Sequence, residues 1–327
     1  MNDTTTTIDT TRGFPGLSAK QSGRIALLVT IGIILLGLVP GLGRWAWCFD
    51  MLASFRLQIA LASMAWTICL FVMRRKLAFV SAVFTLMFVV FAFQLWLQRG
   101  DKIDSDAPHF RVVGYNVWAR NTDQDDVLRF LRESDPDVAV CCEVRGDMAR
   151  RFALELKDVF PHQALAPRET VEGIVILSKH PIRSKDVTEL PGGSLIVNVD
   201  IMVNGECVHV LGVHPFSPVS VPRWKIRNEQ LESAAAIART MPGPAIVIGD
   251  FNTPPWSHFF GKFERESSFR DTQRGIGFSR TWPRGKSLLQ IPIDHAFVSE
   301  HWLVKTRKAG RATSSDHLPL VIDLVRK

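Results

Sequence analysis

The sequence predicts an α+β fold: a layered α/β sandwich with two packed mixed β-sheets flanked by helices, preceded by three transmembrane helices. Three observations carry that expectation. Short β-rich runs alternate with amphipathic stretches from residue 109 onward. One of those runs, "IVNVDIMV", meets the next across "NGE" (204–206), a hairpin signal that implies antiparallel pairing. Ahead of them, three long apolar runs with few or no charges fill residues 25–98.

From the N-terminus, residues 1–24 are polar, Thr-rich and broken by Gly and Pro, the composition of a disordered tail. The apolar runs begin at Arg24, Phe55 and Leu77. Each is roughly 19–21 residues, enough to cross ~30 Å of hydrocarbon. Trp45, Trp47 and Trp96 sit at run ends, where interfacial aromatics belong. Arg74, Arg75 and Lys76 fill a short loop between runs two and three, and the Lys/Arg bias then puts that loop and the tail in the cytoplasm. The expectation is a multi-pass protein of the cell (inner) membrane, held in the lipid bilayer by three helices, with its large domain extracytoplasmic. Residues 99–108, "RGDKIDSDAP", read as a linker, and 109–327 as the large folded domain.

Within that domain, strands are expected at 110–117, 137–143, 172–178, 194–203, 206–213, 245–249, 293–298 and 318–325. Helices are expected at 124–133, 145–158 and 223–240, the first capped by Thr122 or Asp123. Charge is uneven along the chain. Nine basic and three acidic residues precede position 100, a balance of +6, against 30 basic and 29 acidic after it, +1. The high pI therefore comes from the apolar N-terminal part, and the large domain lacks the broad basic face of a non-specific DNA binder. The five cysteines show no C-x-x-C spacing and read as core thiols.

Polar residues end the strands with a recurring chemistry. Asn116 ends "RVVGYN", Glu143 ends "VAVCCE", and His214 ends "VLGVH". Asp250 and Asn252 end "AIVIGDFN", two apart and on one side. "IDHAF" offers Asp294 and His295, and "SSDHLP" offers Asp316 and His317. Taken singly, each is an ordinary turn or surface residue; the argument is their recurrence at six apolar runs. Carboxylates with amide oxygens suit Mg²⁺ or Mn²⁺ and not zinc. Such an ion beside an Asp-activated His is a known way to hydrolyse a phosphate ester.

Residues 110–327 resemble the endonuclease/exonuclease/phosphatase superfamily through "YNVW", "CCEV", "EGIVILSKHPI", "GVHPFSP", "RNEQ", "GDFNTPPWS", "TWP…IDHAFVS" and "SDHLPLVIDL". The resemblance implies metal binding by Glu143, Asp316 and Asn116, with Asn116 also positioning phosphate. It implies that Asp250 orients or deprotonates the attacking water and that Asn252 and His214 contact the phosphate. Asp294 orients His317, the general base or acid, and Arg227 helps shape the site beside the substrate. It also implies a glutamate paired with His214, with Glu172 in that slot and Glu169 as the alternative. Two departures stand out. Cys141-Cys142 replace the usual Leu-Gln before the glutamate, and Tyr115 is the chain's single tyrosine, so the later tyrosine of repair nucleases has no counterpart.

The sequence reading is thus a membrane-anchored, Mg²⁺- or Mn²⁺-dependent phosphodiesterase or nuclease acting on nucleic acid or a phospholipid headgroup. A phosphomonoesterase or phospholipid phosphodiesterase is the alternative within the same chemistry. A catalytically inactive membrane-anchored binding module is the alternative outside it.

Overall fold

The computed structural model describes residues 14–103 and 109–327. Most of the expected tail and residues 104–108 of the expected linker lie outside that range. The chain divides into two compact units, one ending at Gln94 and one running from Leu95 to Lys327.

The first unit is helical: α1 (Ala19–Leu38), α2 (Trp47–Ala53), α3 (Arg56–Val72) and α4 (Leu77–Phe93). Ser18 starts α1 with a capping box, its hydroxyl accepting from the N–H of Gln21 while the Gln21 side chain accepts from the N–H of Ser18. A 3₁₀ turn extends α1 to Leu42, giving a 24-residue apolar helix. At 1.5 Å per residue that is about 36 Å, longer than the ~30 Å of a bilayer core.

It is the one helix among the described residues that is long and apolar enough to cross a membrane alone. This corrects the expectation of three transmembrane helices; α2 and α3 pass the same test only together, as a bent pair. The second run, from Phe55, yields the 17-residue α3, which the short α2 precedes at a 71° bend across Ser54–Phe55. The third yields a 17-residue helix, about 26 Å long, because Leu95–Leu97 leave it for the other unit. There Trp96 stacks on Phe278 at 5.7 Å instead of serving as a free interfacial aromatic.

The helices of this unit bury polar and small side chains and expose apolar ones. Thr67 Oγ1 lies 2.6 Å from Ser81 Oγ and 2.9 Å from Thr85 Oγ1, and Thr85 Oγ1 lies 2.6 Å from Ser63 Oγ. Phe79, Val83 and Leu86 are 70%, 68% and 66% exposed. A helical hairpin with hydroxyls inside and large apolar groups outside inverts the usual aqueous arrangement.

The second unit runs β1 (Phe110–Asn116), α5 (Gln124–Ser134), β2 (Val138–Cys142), α6 (Gly146–Glu155), β3 (His162–Ala166), β4 (Ile174–Ser178), β5 (Ile182–Glu189), β6 (Leu195–Val203) and β7 (Glu206–Val213). It continues with α7 (Val221–Arg239), β8 (Ala245–Asp250), α8 (His258–Ser267), β9 (Arg270–Asp271), β10 (Asp294–Val298), β11 (Trp302–Ala309) and β12 (Leu320–Arg326). Two six-stranded mixed sheets form, ordered β11-β12-β1-β2-β4-β3 and β5-β6-β7-β8-β10-β9. They pack face to face through Val112, Val138, Val140, Ile174 and Ile176 on one side and Val197, Val199, Val210, Ile246 and Ile248 on the other. On the outer face of the first sheet, Val127, Leu131, Met148 and Phe152 of α5 and α6 pack. On the outer face of the second, Leu231, Ala235, Phe260 and Phe263 of α7 and α8 do the same. The result is the expected sandwich, helices outside and two sheets inside.

Each sheet holds one parallel pair, β1–β2 in the first and β7–β8 in the second. Parallel strands need a crossover, supplied here by α5 and α7. A parallel pair ends at one edge, so Asn116 and Glu143 follow neighbouring strands of one sheet while His214 and Asp250 follow neighbouring strands of the other. The antiparallel partners complete that edge. Asp294 opens β10 directly opposite Asp250, and His317 precedes β12, whose Leu320 pairs with Gly114 of β1.

The described part of the expected linker is not free chain. Asp101 accepts two bonds from the Arg270 guanidinium, at 3.0 and 2.7 Å, and one from the N–H of Val304 at 2.7 Å. Those three bonds anchor the segment to the sandwich.

Candidate active site

The site centres on Asp250, at the end of β8 and 2% exposed. Its Oδ2 accepts from Asn116 Nδ2 at 3.0 Å and lies 3.7 Å from both His214 Nε2 and His317 Nε2. Its Oδ1 accepts from the N–H of Asn252 at 2.8 Å, which turns the chain sharply after the strand. Asn252 takes φ +48°, Glu143 φ +59° and Trp118 φ +62°. Three non-glycine residues in the left-handed region at one end of the sandwich are held there against local strain.

Around this carboxylate the side chains are interlocked. Asn116 Nδ2 also donates to Glu143 Oε1 at 3.0 Å, and Asn116 Oδ1 accepts from the N–H of Trp118 at 3.0 Å. Glu143 Oε2 accepts from the N–H of Ala119 at 2.9 Å. The Asn252 amide donates to the Pro215 carbonyl at 3.0 Å. His317 Nδ1 sits 2.9 Å from Asp294 Oδ2. Ser315 accepts from the N–H of His317 and donates to the Asn116 carbonyl, tying the β12 approach to β1.

Electrostatics set the protonation states. Burial pushes Asp250 up, reinforced by the charge of Asp294, to about 6. Burial alone would lower His317, but the carboxylates of Asp294 and Asp250 outweigh it and raise the imidazole to about 10. Burial and Asp294 thus oppose ionisation of Asp250, while the two carboxylates favour the protonated form of His317.

Asn116, Glu143, His214, Asp250, Asn252, Asp294 and His317 thus meet at one end of the sandwich, where strands of both sheets terminate. Asp316 lies beside them in the chain; its Oδ2 accepts from Trp282 Nε1 at 3.0 Å and its Oδ1 is buried without a hydrogen-bond partner.

Two expected residues are placed differently. His214 Nδ1 lies 3.1 Å from the Val171 carbonyl, so a backbone oxygen fills the slot expected for Glu172 or Glu169. Glu169 instead pairs with Arg145 at 3.4 Å. Arg227 is fully buried. It donates to the Asn252 carbonyl at 3.2 Å and to Thr253 Oγ1, bracing the Asp250–Asn252 turn from behind.

Sequence reasoning missed a second buried network behind β10. Gln273 Nε2 donates to Asp271 Oδ2 at 2.9 Å and to His295 Nδ1 at 3.1 Å. His295 Nε2–H then donates to the Thr253 carbonyl at 2.7 Å. His295 was visible in "IDHAF", but nothing in the sequence links it to Gln273.

A sandwich of this architecture, with carboxylates and imidazoles gathered at one end, has a phosphoesterase fold. The chain belongs to the Endonuclease/Exonuclease/phosphatase family, whose model matches residues 113–317. Members of that family hydrolyse phosphoester bonds. Among similar solved structures is D. rerio TDP2 complexed with a single-strand DNA product, at TM-score 0.57 and 14% identity, covering 68% of this chain and 99% of that one. Another is a Staphylococcus aureus beta toxin mutant with bound magnesium ions, at TM-score 0.55 and 18% identity, covering 67% and 100%. A third is sphingomyelinase C from Streptomyces griseocarneus, at TM-score 0.51 and 17% identity, covering 66% and 99%. At these identities the likeness is one of fold. A search of curated proteins finds no match.

Proposed function

We propose that the protein is a membrane-anchored, divalent-metal-dependent phosphodiesterase that uses Asp250 and the Asp294–His317 pair. The observation that carries the reading is the convergence of Asn116, His214 and His317 on the single oxygen Asp250 Oδ2. Four separate strand ends supply that arrangement, which packing alone does not require.

The donor set fits a hard ion. Glu143, Asn116 and Asp316 offer carboxylate and amide oxygens, and Asp316 Oδ1 is buried with no partner of its own. These residues would hold Mg²⁺ or Mn²⁺. Asp250, Asp294 and His317 also have donor atoms within 4.8 Å of one another, but the 2.9 Å Asp294–His317 bond already uses His317 Nδ1. That trio suits proton handling better. The bound ion supplies charge to the phosphate oxygens.

The chain's own residues do the rest. Asp250, ionised above about pH 6, accepts a proton from the attacking water. His317, kept cationic by Asp294, faces the phosphate as a charged hydrogen-bond donor. His214, whose Nδ1–H is committed to Val171, presents Nε2 to the same centre. Asn252 and Asn116 orient the phosphate.

The test is hydrolysis of bis-p-nitrophenyl phosphate with and without Mg²⁺. Asp250→Ala and His317→Ala should each lower kcat by about 10²–10⁴, and chelation should abolish turnover. Equal rates for all three proteins, with and without the ion, would leave the binding-module reading standing. Supercoiled DNA, RNA and phospholipid vesicles assayed with the same preparation separate nuclease from lipid phosphodiesterase.

Membrane attachment rests on α1 and on the inverted packing of the first unit. With the basic flank Arg12, Lys20 and Arg24 in the cytoplasm, one crossing by α1 puts the large domain outside, and it carries Arg74, Arg75 and Lys76 to that side too, so the orientation then rests on the flank of α1 alone. A C-terminal alkaline phosphatase fusion should then be active in cells; a silent fusion reverses the orientation.

A further inference from the structure

Among the described residues, one group outside the catalytic edge brings three different metal-ligating side chains together. Asp200, Cys207 and His209 have donor atoms within 4.8 Å of one another. All three lie on the β6–β7 hairpin, where Asp200 pairs directly with His209 and Cys207 pairs with Met202 on the same face. The flanking residues Val199, Ile201, Val208 and Val210 point the other way, into the inter-sheet core. The trio therefore faces outward, and each member is partly exposed. His209 is five residues before His214, about 17 Å away along the strand, so the group is separate from the phosphoester centre.

The scaffold is rigid. Asn204 and Gly205 close the hairpin with φ +51° and +87°, the two left-handed residues of a tight two-residue turn. Asp200 Oδ1 lies 2.6 Å from His209 Nδ1, and its Oδ2 accepts from Ser184 Oγ of the neighbouring strand β5 at 2.5 Å. Ligands on paired strands are better fixed than ligands on a loop.

We propose that Asp200, Cys207 and His209 form a binding site for one divalent transition ion of the zinc class. Thiolate, imidazole and carboxylate together match a borderline ion and disfavour Mg²⁺, which wants oxygen alone. Three protein ligands leave a fourth position open to water. Binding releases one proton, that of the Cys207 thiol, while the ring proton of neutral His209 stays on the nitrogen that does not bind, with no change of oxidation state. Burial and the Asp200 carboxylate hold the thiol protonated, with Arg183 opposing them. Affinity accordingly rises with pH. The site staples the hairpin and, through Ser184, its neighbour β5. It stands apart from whatever the catalytic edge hydrolyses.

The test is Co²⁺ titration of the full chain in detergent, read by the thiolate-to-cobalt charge-transfer absorption, followed by displacement with Zn²⁺. One equivalent should develop the band, and Zn²⁺ should erase it. Cys207→Ser should abolish the band, while Asp200→Asn and His209→Gln weaken binding about tenfold or more. Asp250→Ala should leave the band intact, and Cys207→Ser should leave phosphodiester hydrolysis unchanged, which separates this site from the catalytic one. Circular dichroism melts confirm that each variant is folded. Absence of the band in the unaltered protein, or its persistence in Cys207→Ser, overturns the assignment. In the first case Asp200–His209 is an ordinary cross-strand pair.

Discussion

Asp294 never reaches the central oxygen, yet it decides what His317 can do. Its carboxylate bonds His317 Nδ1 and carries the largest share of the upward push on the imidazole. Asp294→Asn keeps the shape and removes the charge. His317 should then titrate well below about 10, and in saturating Mg²⁺ the alkaline limb of the pH–rate profile should move toward neutrality. The accompanying loss in kcat is about 10²-fold or more, by the scale of general acid–base contributions. The sign for stability follows from the same shift. A histidine raised in the folded state stabilises fully below its unfolded value near 6.5 and loses that contribution as pH climbs through about 10. An unchanged pH–rate profile in Asp294→Asn would show that His317 is not held by this charge.

At the scale of elements, the end of β8 depends on a glycine. A Cβ on Gly249 would stand 1.9 Å from the Val213 carbonyl oxygen, so Gly249→Ala must push β8 away from β7. The cost should exceed about 2 kcal/mol, the scale of overpacking in a buried strand, read as a lower urea midpoint. Activity should fall further than stability explains, because Asp250 is the next residue.

The elements that build this edge were legible in the sequence because their strands are buried on both faces and read as continuous apolar runs. β2, β4 and β8 are buried along their whole length. Asp123 caps α5 as expected, its side chain accepting from the N–H of Asp126. The missed strands are of another kind. β5 is exposed over nearly its full length and reads "IRSKDVTE"; β3 is a half-buried edge; β11 carries three basic residues. Edge strands owe their form to backbone pairing more than to side-chain pattern. For a related reason the sequence left open that Arg227 braces the turn from behind and that the Val171 carbonyl meets His214 Nδ1. A motif gives a residue's position along the chain, not which side of a turn its head group reaches. The same limit applied to the apolar runs: α3 and α4 hold 17 residues each, shorter than the runs, and their ends at Val72 and Phe93 carry no strong sequence signal.

At the scale of the whole molecule, two buried groups push the pH dependence of stability in opposite directions. Burial lowers His295 to about 3, with the Arg307 charge adding to it. Burial raises Asp271 to about 7 against the attraction of Arg307. A depressed histidine stabilises above its unfolded value near 6.5 and loses that contribution as pH falls toward about 3. A raised aspartate stabilises fully below about 3.9 unfolded and loses that contribution as pH rises through about 7. Between pH 4 and 6.5 the two slopes are equal and opposite, about 1.4 kcal/mol per pH unit each, so this pair leaves the unaltered protein nearly flat. Asp271→Asn removes one slope. Its urea-unfolding free energy should drop by about 2 kcal/mol more than that of the unaltered protein between pH 6.5 and 5. His295→Gln removes the other, and that variant should gain stability over the same interval. If both variants track the unaltered protein across this range, neither group holds the protonation state that burial assigns it. The Gln273 bridge between them would then join groups that are already in their ordinary solution states.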